Sequence, residues 1–531
     1  MRLEEAILDW WGLLGVPSVL RGADVLRKYG ADASGIERTI PAALVIKDAS
    51  TLPDVMRIAA KHKVSVYPIS TGRNWGYGTS LPVRDNCVII DLSNLQKILH
   101  FDPDLGVVTV EPGVTQGMLS EFLTAGGHPF LVPVTGAGPQ CSLLGNALER
   151  GYGITPHTDH FGAVTDLEAV LADGSRYRTA MREAGGEELA RLFKYGIGPY
   201  STGLFTQSGF GIVTRMSIAL ARRPECVKVC FFSLKDKALL EQAVERVRTI
   251  LGRLPGVVGG INLMNRHRVL AMSAPYPTDR LGTDGLIPEA VVEELGRQFQ
   301  IFPWTGFGTI YGTKKIVSAA ESEIRRSLSG VASRLIFFSP QKAQALSRIA
   351  NLLPGPAARR LGSTANTLAK ALELVNGVPN ETALPLAYWR NSSSAKEFER
   401  DPSRDGCGLI WYAPLVPMRA ATASSYVEMI ERITRKHGIE PLITFTSISD
   451  KIFDSTVPLI FDRNNDSALA AATNCYTDLL LEGRERGFFP YRVGLGAMQT
   501  LSDMQEESKA FHARLRQSVD PDGILSPGRY Q

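Results

Sequence analysis

The chain has 531 residues, of which 44% are hydrophobic and 21% are charged, and its formal net charge at pH 7 is +4. This length is too great for one compact core and predicts two domains. The small net charge argues against nucleic acid or an anionic membrane surface as the main partner.

Cysteine usage and the N-terminal segment bear on the cell compartment. The six cysteines include no Cys-x-x-Cys pair, which argues against a zinc site and fits a reducing compartment. Residues 1–15 lack the basic start, apolar core and cleavage site of a signal peptide, and no apolar run reaches membrane-spanning length. We therefore expect a cytoplasmic protein with no metal and no membrane partner.

The first predicted elements indicate a mixed α and β beginning. Residues 3–30 have helical spacing, Pro41–Ile46 is a short apolar strand, and Thr51–His62 is predicted to be a helix. A second apolar strand begins at Val64. A helix between two strands predicts a small subdomain in which the helix covers a sheet.

A glycine-rich segment, Pro68–Leu92, follows that strand and ends in the strand Cys87–Leu92. Glycine lacks a Cβ atom and tolerates positive φ, so backbone N–H groups in such a turn can surround anionic oxygens. Neighbouring side chains add donors, which favours a diphosphate ligand. By itself, a glycine-rich loop is usually a plain hairpin connection between strands. The residues concerned are Ser70, Thr71, Gly72, Arg73, Asn74 and Gly76.

A second glycine-rich segment, Ser142–His160, has the sequence SLLGNALERGYGITPHTDH. It follows a predicted strand at Val107–Gly113 and a predicted helix at Gln116–Ala125, and it precedes a predicted hairpin at Val164–Tyr177. A third such segment, Ser201–Thr214, is typical of a turn that leads into a strand.

The character of the chain changes after Arg222-Arg223-Pro224, and we place a domain boundary there. Beyond it, residues 354–385 are expected to form a long loop with helical insertions. The predicted strands are Cys226–Leu234, Leu409–Tyr412 and segments near 441–447 and 456–461, and the predicted helices are Lys237–Leu251, Ser318–Leu328, Gln341–Leu353, Ala420–His437 and Ala468–Arg486.

The glycine-rich segments resemble those of the vanillyl-alcohol oxidase / p-cresol methylhydroxylase (PCMH) family of flavoproteins. The first carries GRNWGYG at residues 72–78, similar to the family's FAD pyrophosphate loop, and the second is similar to a segment that runs beside the flavin. The pair Tyr491-Arg492 and the closing segment Val519–Arg529 also resemble the family. The resemblance is close over residues 40–225 and 485–531, and patchy between them.

This resemblance implies an α+β fold, with a PCMH-type FAD-binding domain of two α/β subdomains and an inserted α+β substrate cap domain. The FAD-binding domain is expected over residues 1–224, with its core at about 38–222, the cap over 225–485, and a C-terminal segment over 486–531 that completes the FAD domain. The implied FAD-binding residues are Ser70, Thr71, Gly72, Arg73, Asn74, Gly76, Gly145, Asn146, Glu149, Arg150, Gly153, His160, Gly211, Ile212 and Arg529.

The resemblance also implies a site for a phenolate. Tyr77, Tyr491 and Arg492 match the family's phenolate-binding residues. Two phenol hydroxyls and one permanent positive charge lower the pKa of a bound phenol by stabilising its anion. Alone, a tyrosine or arginine is more often a packing residue or part of a surface ion pair.

Asp159 ends the second glycine-rich segment and is expected to face the flavin. There its carboxylate would activate water as a base, or stabilise charge that develops on the substrate. The alternative is that Asp159 only caps a turn. A metal site of His157, Asp159 and His160 is disfavoured, because the sequence shows no further cluster of ligands.

One departure from the family concerns the attachment of FAD. Many members bind FAD covalently through a residue just before a short motif, which in this sequence is Trp411-Tyr412-Ala413-Pro414. The position that matches the attachment residue is Leu409. Leucine cannot form that bond, and Cys407 is displaced by two residues. We therefore expect non-covalent FAD.

The implied function is oxidation of a para-substituted phenol, such as a 4-alkylphenol or a 4-hydroxybenzyl alcohol, by hydride transfer to flavin N5 through a quinone methide. The enzyme would be an FAD-dependent oxidase or dehydrogenase, with O2 or an acceptor protein such as a cytochrome as its partner, and a homodimer. Two alternatives are an oxidase of another alcohol or 2-hydroxy acid, and a non-catalytic flavin-binding subunit.

Overall fold

The structure is a computed structural model that describes residues 2–339, 342, 369–391 and 400–531. Apart from Lys342, the predicted helix Gln341–Leu353 lies outside the described residues. Residues 354–368 of the expected long loop also lie outside the described residues. Residues 369–375 form a helix.

Within the described residues the strands are β1 Val19–Arg21, β2 Ala42–Val45, β3 Val66–Ile69, β4 Val88–Asp91, β5 Ile98–Asp102, β6 Val107–Val110, β7 Phe130–Leu131, β8 Val164–Val170, β9 Arg176–Arg178, β10 Ile212–Ala219, β11 Ala221–Arg222, β12 Cys226–Leu234, β13 Val258–Asn265, β14 Trp304–Gly312, β15 Arg334–Phe338, β16 Cys407–Tyr412, β17 Pro414–Pro417, β18 Thr444–Ser447, β19 Ile452–Asp462 and β20 Phe489–Pro490. The named helices are Arg2–Leu14, Ala23–Tyr29, Leu52–His62, Gln116–Ala125, Leu143–Leu148, Ala180–Glu183, Glu187–Leu192, Leu240–Arg253, Arg266–Ser273, Glu289–Phe299, Lys314–Leu328, Ala420–Lys436, Asp466–Glu485, Met498–Asp503 and Glu507–Val519.

The first subdomain is a four-stranded sheet in the order β1-β2-β4-β3, in which β2 and β3 both run parallel to β4. All residues of β2 and β4 are buried, as expected where a parallel sheet is covered on both faces. The helices Arg2–Leu14 and Leu52–His62 share one apolar core with this sheet, and the indole of Trp10 donates to the carbonyl of Val55 at 3.2 Å. The first glycine-rich segment connects β3 to β4.

The prediction of one helix over residues 3–30 is wrong. The first helix ends at Leu14, because Gly15 has a φ of 79° and Pro17 follows. The chain then forms β1, which pairs antiparallel with β2, before a second helix begins at Ala23. Pairing with a neighbouring strand therefore overrides the local helical pattern.

The second subdomain is a five-stranded antiparallel sheet in the order β5-β6-β10-β8-β9. The predicted hairpin is present as β8 and β9, and its turn is stabilised by the carboxylate of Asp173, which accepts from the backbone of Ser175 at 2.8 Å. The second glycine-rich segment begins with the helix Leu143–Leu148, where the Ser142 hydroxyl accepts from the Gly145 N–H at 2.9 Å.

The cap begins at β12 and is built on a nine-stranded sheet in the order β15-β12-β14-β13-β18-β19-β17-β20, with β16 also paired to β19. Helices such as Leu240–Arg253 and Ala420–Lys436 pack on one face, where Phe453 and Val457 of β19 are buried. Because neighbouring residues of a strand point to opposite faces, the other face carries Asp454 and Thr456. Both of these line the central cavity, so this is the inner face of the cap.

The C-terminal segment returns to the first subdomain. After β20 pairs with β17 in the cap sheet, the chain passes through two helices and reaches β3. There the Val66 N–H donates to Ile524 at 2.8 Å, and the Ser526 N–H donates to Val66 at 2.8 Å. The C-terminal segment is therefore hydrogen-bonded to β3 of the first subdomain, through an isolated bridge between Val66 and Leu525. Among the described helices, none combines the length and apolar character needed to cross a membrane.

Candidate active site

A cavity of about 420 Å³ lies where the two N-terminal subdomains, the inner face of the cap and the C-terminal segment meet. Residues from widely separated parts of the sequence line it. The lining residues predicted from the sequence are Ser70, Thr71, Gly72, Arg73, Asn74, Tyr77, Gly145, Asn146, Glu149, Gly211, Ile212, Tyr491, Arg492 and Arg529.

The donor set of the cavity fits an FAD molecule. The first two glycine-rich segments touch, since a Cβ atom at Gly145 would overlap the hydroxyl of Ser70. Gly72 has a φ of 66°, which only glycine adopts readily, so the turn presents its backbone at close range. Hydroxyl and amide side chains together with backbone N–H groups suit a diphosphate.

The charged residues at this end of the cavity are already paired with protein groups. Arg73 donates to Asp401 of the cap at 2.6 Å and to Gln140 at 2.8 Å. Arg529 forms an ion pair with Glu149 and donates to the hydroxyl of Tyr67 at 2.6 Å. The guanidinium of Arg73 therefore links the loop to the cap, in addition to lining the cavity.

Gly76 does not line the cavity, and its role is to seat the cap. It has a φ of 76°, and a Cβ atom there would lie 2.5 Å from Cδ1 of Trp411 on β16. The Trp411 N–H also donates to the Gly76 carbonyl, at 3.4 Å. The glycine therefore allows the cap strand to approach the loop that carries Tyr77.

Arg150 does not reach the cavity either. It is exposed, has a φ of 54°, and its guanidinium donates to the Thr206 hydroxyl at 2.9 and 3.1 Å. The prediction that Arg150 contacts FAD is therefore not supported, because its side chain is turned towards a neighbouring loop.

Gly153 and His160 lie behind the cavity wall. His160 is buried, and burial lowers the pKa of its ring to about 3, so the ring is neutral. Its Nδ1 contacts the side-chain amide of Asn146, which does line the cavity. A Cβ atom at Gly153 would lie 2.6 Å from its Nε2. These two residues therefore position Asn146 and are not among the cavity-lining residues.

Asp159 is not among the cavity-lining residues, contrary to the prediction. The side chain is exposed, and its carboxylate accepts the N–H of Gly162 at 2.8 Å. This is a turn cap, the alternative that the sequence left open. Within the described part of the chain, no group of three or more His, Cys, Asp or Glu side chains could hold a metal ion.

Tyr77, Tyr491 and Arg492 come together as predicted. The Arg492 guanidinium lies 4.2 Å from the ring centre of Tyr77, and its Nη2 donates to Asn74. Its Nε is 3.7 Å from Glu149, which is too long for a hydrogen bond, so this buried N–H is unpaired among the described residues. Burial raises the pKa of both tyrosines, so their hydroxyls stay protonated and can donate.

Asp454 is a site residue that the sequence reasoning missed. It lies on the inner face of β19, is 5% exposed, and its Oδ1 has no hydrogen-bond partner in the described structure. Burial raises the pKa of its carboxyl to about 7, against the opposing influence of the Arg492 charge and the Tyr491 hydroxyl. A polar residue in the alternating strand Phe453–Val457 was the available signal.

Comparison with known proteins agrees with this geometry. The FAD binding domain family model matches residues 41–180. The chain is 32% identical to the 1'-carboxy-chondrochloren decarboxylase of Chondromyces crocatus, over 99% of this chain and 97% of that protein. It is 27% identical to the 4-cresol dehydrogenase [hydroxylating] flavoprotein subunit of Pseudomonas putida, over 99% and 95%. The crystal structure of p-cresol methylhydroxylase with substrate bound superposes with a TM-score of 0.87, at 25% identity, over 100% of this chain and 96% of that one.

The fold and the cavity define an FAD-dependent oxidoreductase, with an FAD-binding domain completed by the C-terminal segment and a cap sheet over the site. The chain belongs to the vanillyl-alcohol oxidase / p-cresol methylhydroxylase family. The predicted fold class, the FAD cofactor and the enzymatic character are thereby confirmed.

Proposed function

We propose that this enzyme oxidises a para-substituted phenol through a quinone methide. The observation that carries the proposal is the convergence of Tyr77, Tyr491 and Arg492 in one wall of the cavity, with an unpaired Nε–H on the arginine. Such a group of donors suits a single phenolate oxygen. A hydrogen bond to a charged group contributes about 1.5–3 kcal/mol, which is enough to favour the anion of a bound phenol.

Asp454 is the proton acceptor in this proposal. A carboxyl group with a pKa of about 7 is ionised over part of the neutral range, and it can accept a proton without holding it too tightly. It lies beside the Tyr491 hydroxyl, through which the proton of the phenol reaches it. Arg492 and the two tyrosine hydroxyls then stabilise the phenolate that remains.

When bound, FAD supplies the hydride acceptor for this chemistry. Negative charge on the ring oxygen allows the carbon attached at the para position to lose a hydride, which leaves a neutral quinone methide. Water then adds its oxygen to that carbon. Asp454 delivers a proton to the ring oxygen, and the proton that the water releases replaces it. The product from a 4-alkylphenol is a 4-hydroxybenzylic alcohol.

The 32% identical relative, a decarboxylase by name, favours a second reaction at the same site. A quinone methide is an electron sink. If the next carbon of the chain bears a carboxylate, the C–C bond can break, releasing CO2 while its electron pair returns to the ring. The product is then a vinylphenolate. The same Tyr77, Tyr491 and Arg492 cluster supports this reaction, since it too begins with a phenolate and hydride loss.

Non-covalent FAD is also part of the proposal. Leu409 lines the cavity and offers no group for a bond. Cys407 is fully buried, is not among the cavity-lining residues, and burial raises the pKa of its thiol to about 12. The thiol of Cys141 does line the cavity, but burial likewise raises its pKa to about 12. Neither thiol is poised to attack the cofactor.

For the electron acceptor we propose O2 or a protein such as a cytochrome, and for the assembly a homodimer. The Pseudomonas putida relative is a flavoprotein subunit by name, which supports a protein partner.

An anaerobic titration followed at the flavin absorbance tests the function. We expect 4-ethylphenol or 4-hydroxybenzyl alcohol to bleach the flavin, while lactate does not. A phenol that carries a carboxylate on its chain is assayed for CO2 in parallel. Bleaching by a 2-hydroxy acid and by no phenol would overturn the proposal. Subsequent exposure to air then shows whether O2 reoxidises the flavin.

A further inference from the structure

Gln207 lines the cavity but has no part in the reaction described so far. It follows the short 3₁₀ helix Thr202–Phe205 and is only 9% exposed. Its φ of 46° lies in the left-handed region, which residues with a side chain adopt at a cost in free energy. Strained backbone of this kind is concentrated at functional sites, so a strained residue in the cavity wall indicates a role.

The side-chain amide of Gln207 binds the C-terminal segment. Its Nε2 donates to the carbonyl of Tyr491 at 3.0 Å. That carbonyl belongs to the peptide group that joins Tyr491 to Arg492, so one hydrogen bond holds the backbone of both residues. The Gln207 N–H in turn donates to the carbonyl of Leu148 at 3.0 Å, in the second glycine-rich segment. Gln207 therefore ties the Tyr491-Arg492 pair to the second subdomain.

Tyr491 has supports in two different parts of the molecule. It stands directly after β20, whose Pro490 pairs with β17 in the cap sheet. Its ring packs edge to face on the ring of Tyr152, with 5.9 Å between the ring centres, and Tyr152 also lines the cavity. The hydrogen bond from Gln207 fixes the backbone between these contacts. Such precision matters, because a displacement of about 1 Å can slow a reaction about 100-fold.

We infer that Gln207 is a positioning residue, whose amide holds the peptide between Tyr491 and Arg492 so that both side chains meet one phenol oxygen. This inference rests on the proposed function, because it takes the phenol oxygen to lie at these two residues. It also accounts for an unfavourable backbone conformation at a buried position of the cavity wall.

Three substitutions separate the amide of Gln207 from its backbone. Gln207→Met is similar in length but has no donor, and Gln207→Gly also lacks the donor but adopts a positive φ without strain. We expect both variants, compared at equal FAD content, to reduce their flavin about 10-fold more slowly than wild type with 4-ethylphenol. Gln207→Asn keeps a shorter amide and tolerates this φ, so its rate should be intermediate.

A matched control and a second background complete the test. Gln300 has a φ of 56°, is exposed and follows the helix Glu289–Phe299, so Gln300→Met and Gln300→Gly should leave the rate unchanged. Because Gln207 acts through Tyr491 and Arg492, Gln207→Met should slow the Tyr491→Phe enzyme less than it slows wild type. Equal slowing in both backgrounds, or wild-type rates in Gln207→Met and Gln207→Gly, would overturn the inference.

A phenol that cannot react distinguishes failure of this inference from failure of the proposed function. The para substituent of 4-nitrophenol has no C–H bond and cannot lose a hydride, and the anion absorbs at longer wavelength than the neutral phenol. We expect FAD-loaded wild-type enzyme to lower the pKa of bound 4-nitrophenol, and Gln207→Met to raise that pKa again by about 1, which corresponds to the 10-fold loss in rate. A purely structural role of Gln207 would leave the pKa of the bound phenol unchanged.

The outcomes are then separable. If no phenol reduces the flavin but Gln207→Met raises the pKa of bound 4-nitrophenol, the positioning role stands and the oxidation of phenols is wrong. If phenols reduce the flavin and the Gln207 variants change neither the rate nor this pKa, the positioning role is wrong. Should Gln207→Met not fold, Gln207→Asn and Gln207→Gly provide the same comparison.

Discussion

Replacement of Asp454 by asparagine should remove the proton acceptor while preserving the shape of the site. Burial raises the pKa of this carboxyl from 3.8 to about 7. If Asp454 takes the phenol proton, flavin reduction in wild-type enzyme should slow about tenfold for each pH unit below 7. Asp454→Asn should lose this pH dependence and reduce its flavin about 10²–10⁴ times more slowly at neutral pH.

Asp454→Asn should lower the rate of flavin reduction but raise the stability of the folded protein. Because the folded-state pKa of Asp454 is raised, the folded protein holds the proton more tightly than the unfolded chain. The preference of the folded protein for the protonated Asp454 carboxyl stabilises it fully below about pH 4. This stabilisation is lost as the pH rises to about 7, where the ionised carboxylate opposes folding. The rise from 3.8 to about 7 corresponds to roughly 4 kcal/mol. Asp454→Asn should therefore melt at a higher temperature than wild type at pH 8, with a smaller difference at pH 5.

Stopped-flow reduction and thermal melts on the same preparations measure both effects. Asp159→Asn is the matched control, since Asp159 is exposed and only accepts the N–H of Gly162. It should reduce its flavin at a near wild-type rate and lose at most about 1 kcal/mol of stability. A wild-type rate in Asp454→Asn, together with a slow Asp159→Asn, would refute the assignment of the base.

Three further predictions concern the cofactor, the phenolate and the cap. Acid precipitation should release the yellow FAD into the supernatant, because Leu409 occupies the attachment position; colour that stays with the polypeptide would show a covalent bond. Arg492→Met should lower the rate of flavin reduction by about 10-fold to 100-fold while FAD stays bound, and an unchanged rate across a panel of phenols would contradict the phenolate role. Gly76→Ala places a Cβ atom 2.5 Å from Trp411 at a φ of 76°, so the melting temperature should fall by an amount equivalent to about 1–3 kcal/mol. A wild-type melting curve for Gly76→Ala would show that the cap does not rest on the loop.

Much of the fold follows from local patterns in the sequence. The helix Gln116–Ala125 and the strand Cys226–Leu234 have the predicted bounds, because apolar periodicity and glycine stops mark them clearly. The glycine-rich segments and the pair Tyr491-Arg492 can also be recognised in the sequence, since their chemistry requires particular residues in consecutive positions. Within these segments the amino-acid order does not decide which side chains line the cavity, since Arg150, Asp159 and His160 do not line it.

The sequence by itself did not determine which carboxylate lines the cavity. Asp159 stands within a ligand-binding segment, yet a turn directs its side chain to the exterior. Asp454 stands in an ordinary strand, and only the pairing of β19 in the cap sheet brings it beside Tyr491 and Arg492.

These outcomes have one physical reason. Local sequence determines which conformations a segment prefers, and hence where glycine, proline and apolar periodicity place helices, strands and turns. The pKa of a carboxyl group depends on which residues, often distant in the sequence, exclude water from that group. The cavity brings Tyr77 together with Asp454 and Arg492, which lie more than a hundred positions away in the sequence, so this arrangement was decided by tertiary packing.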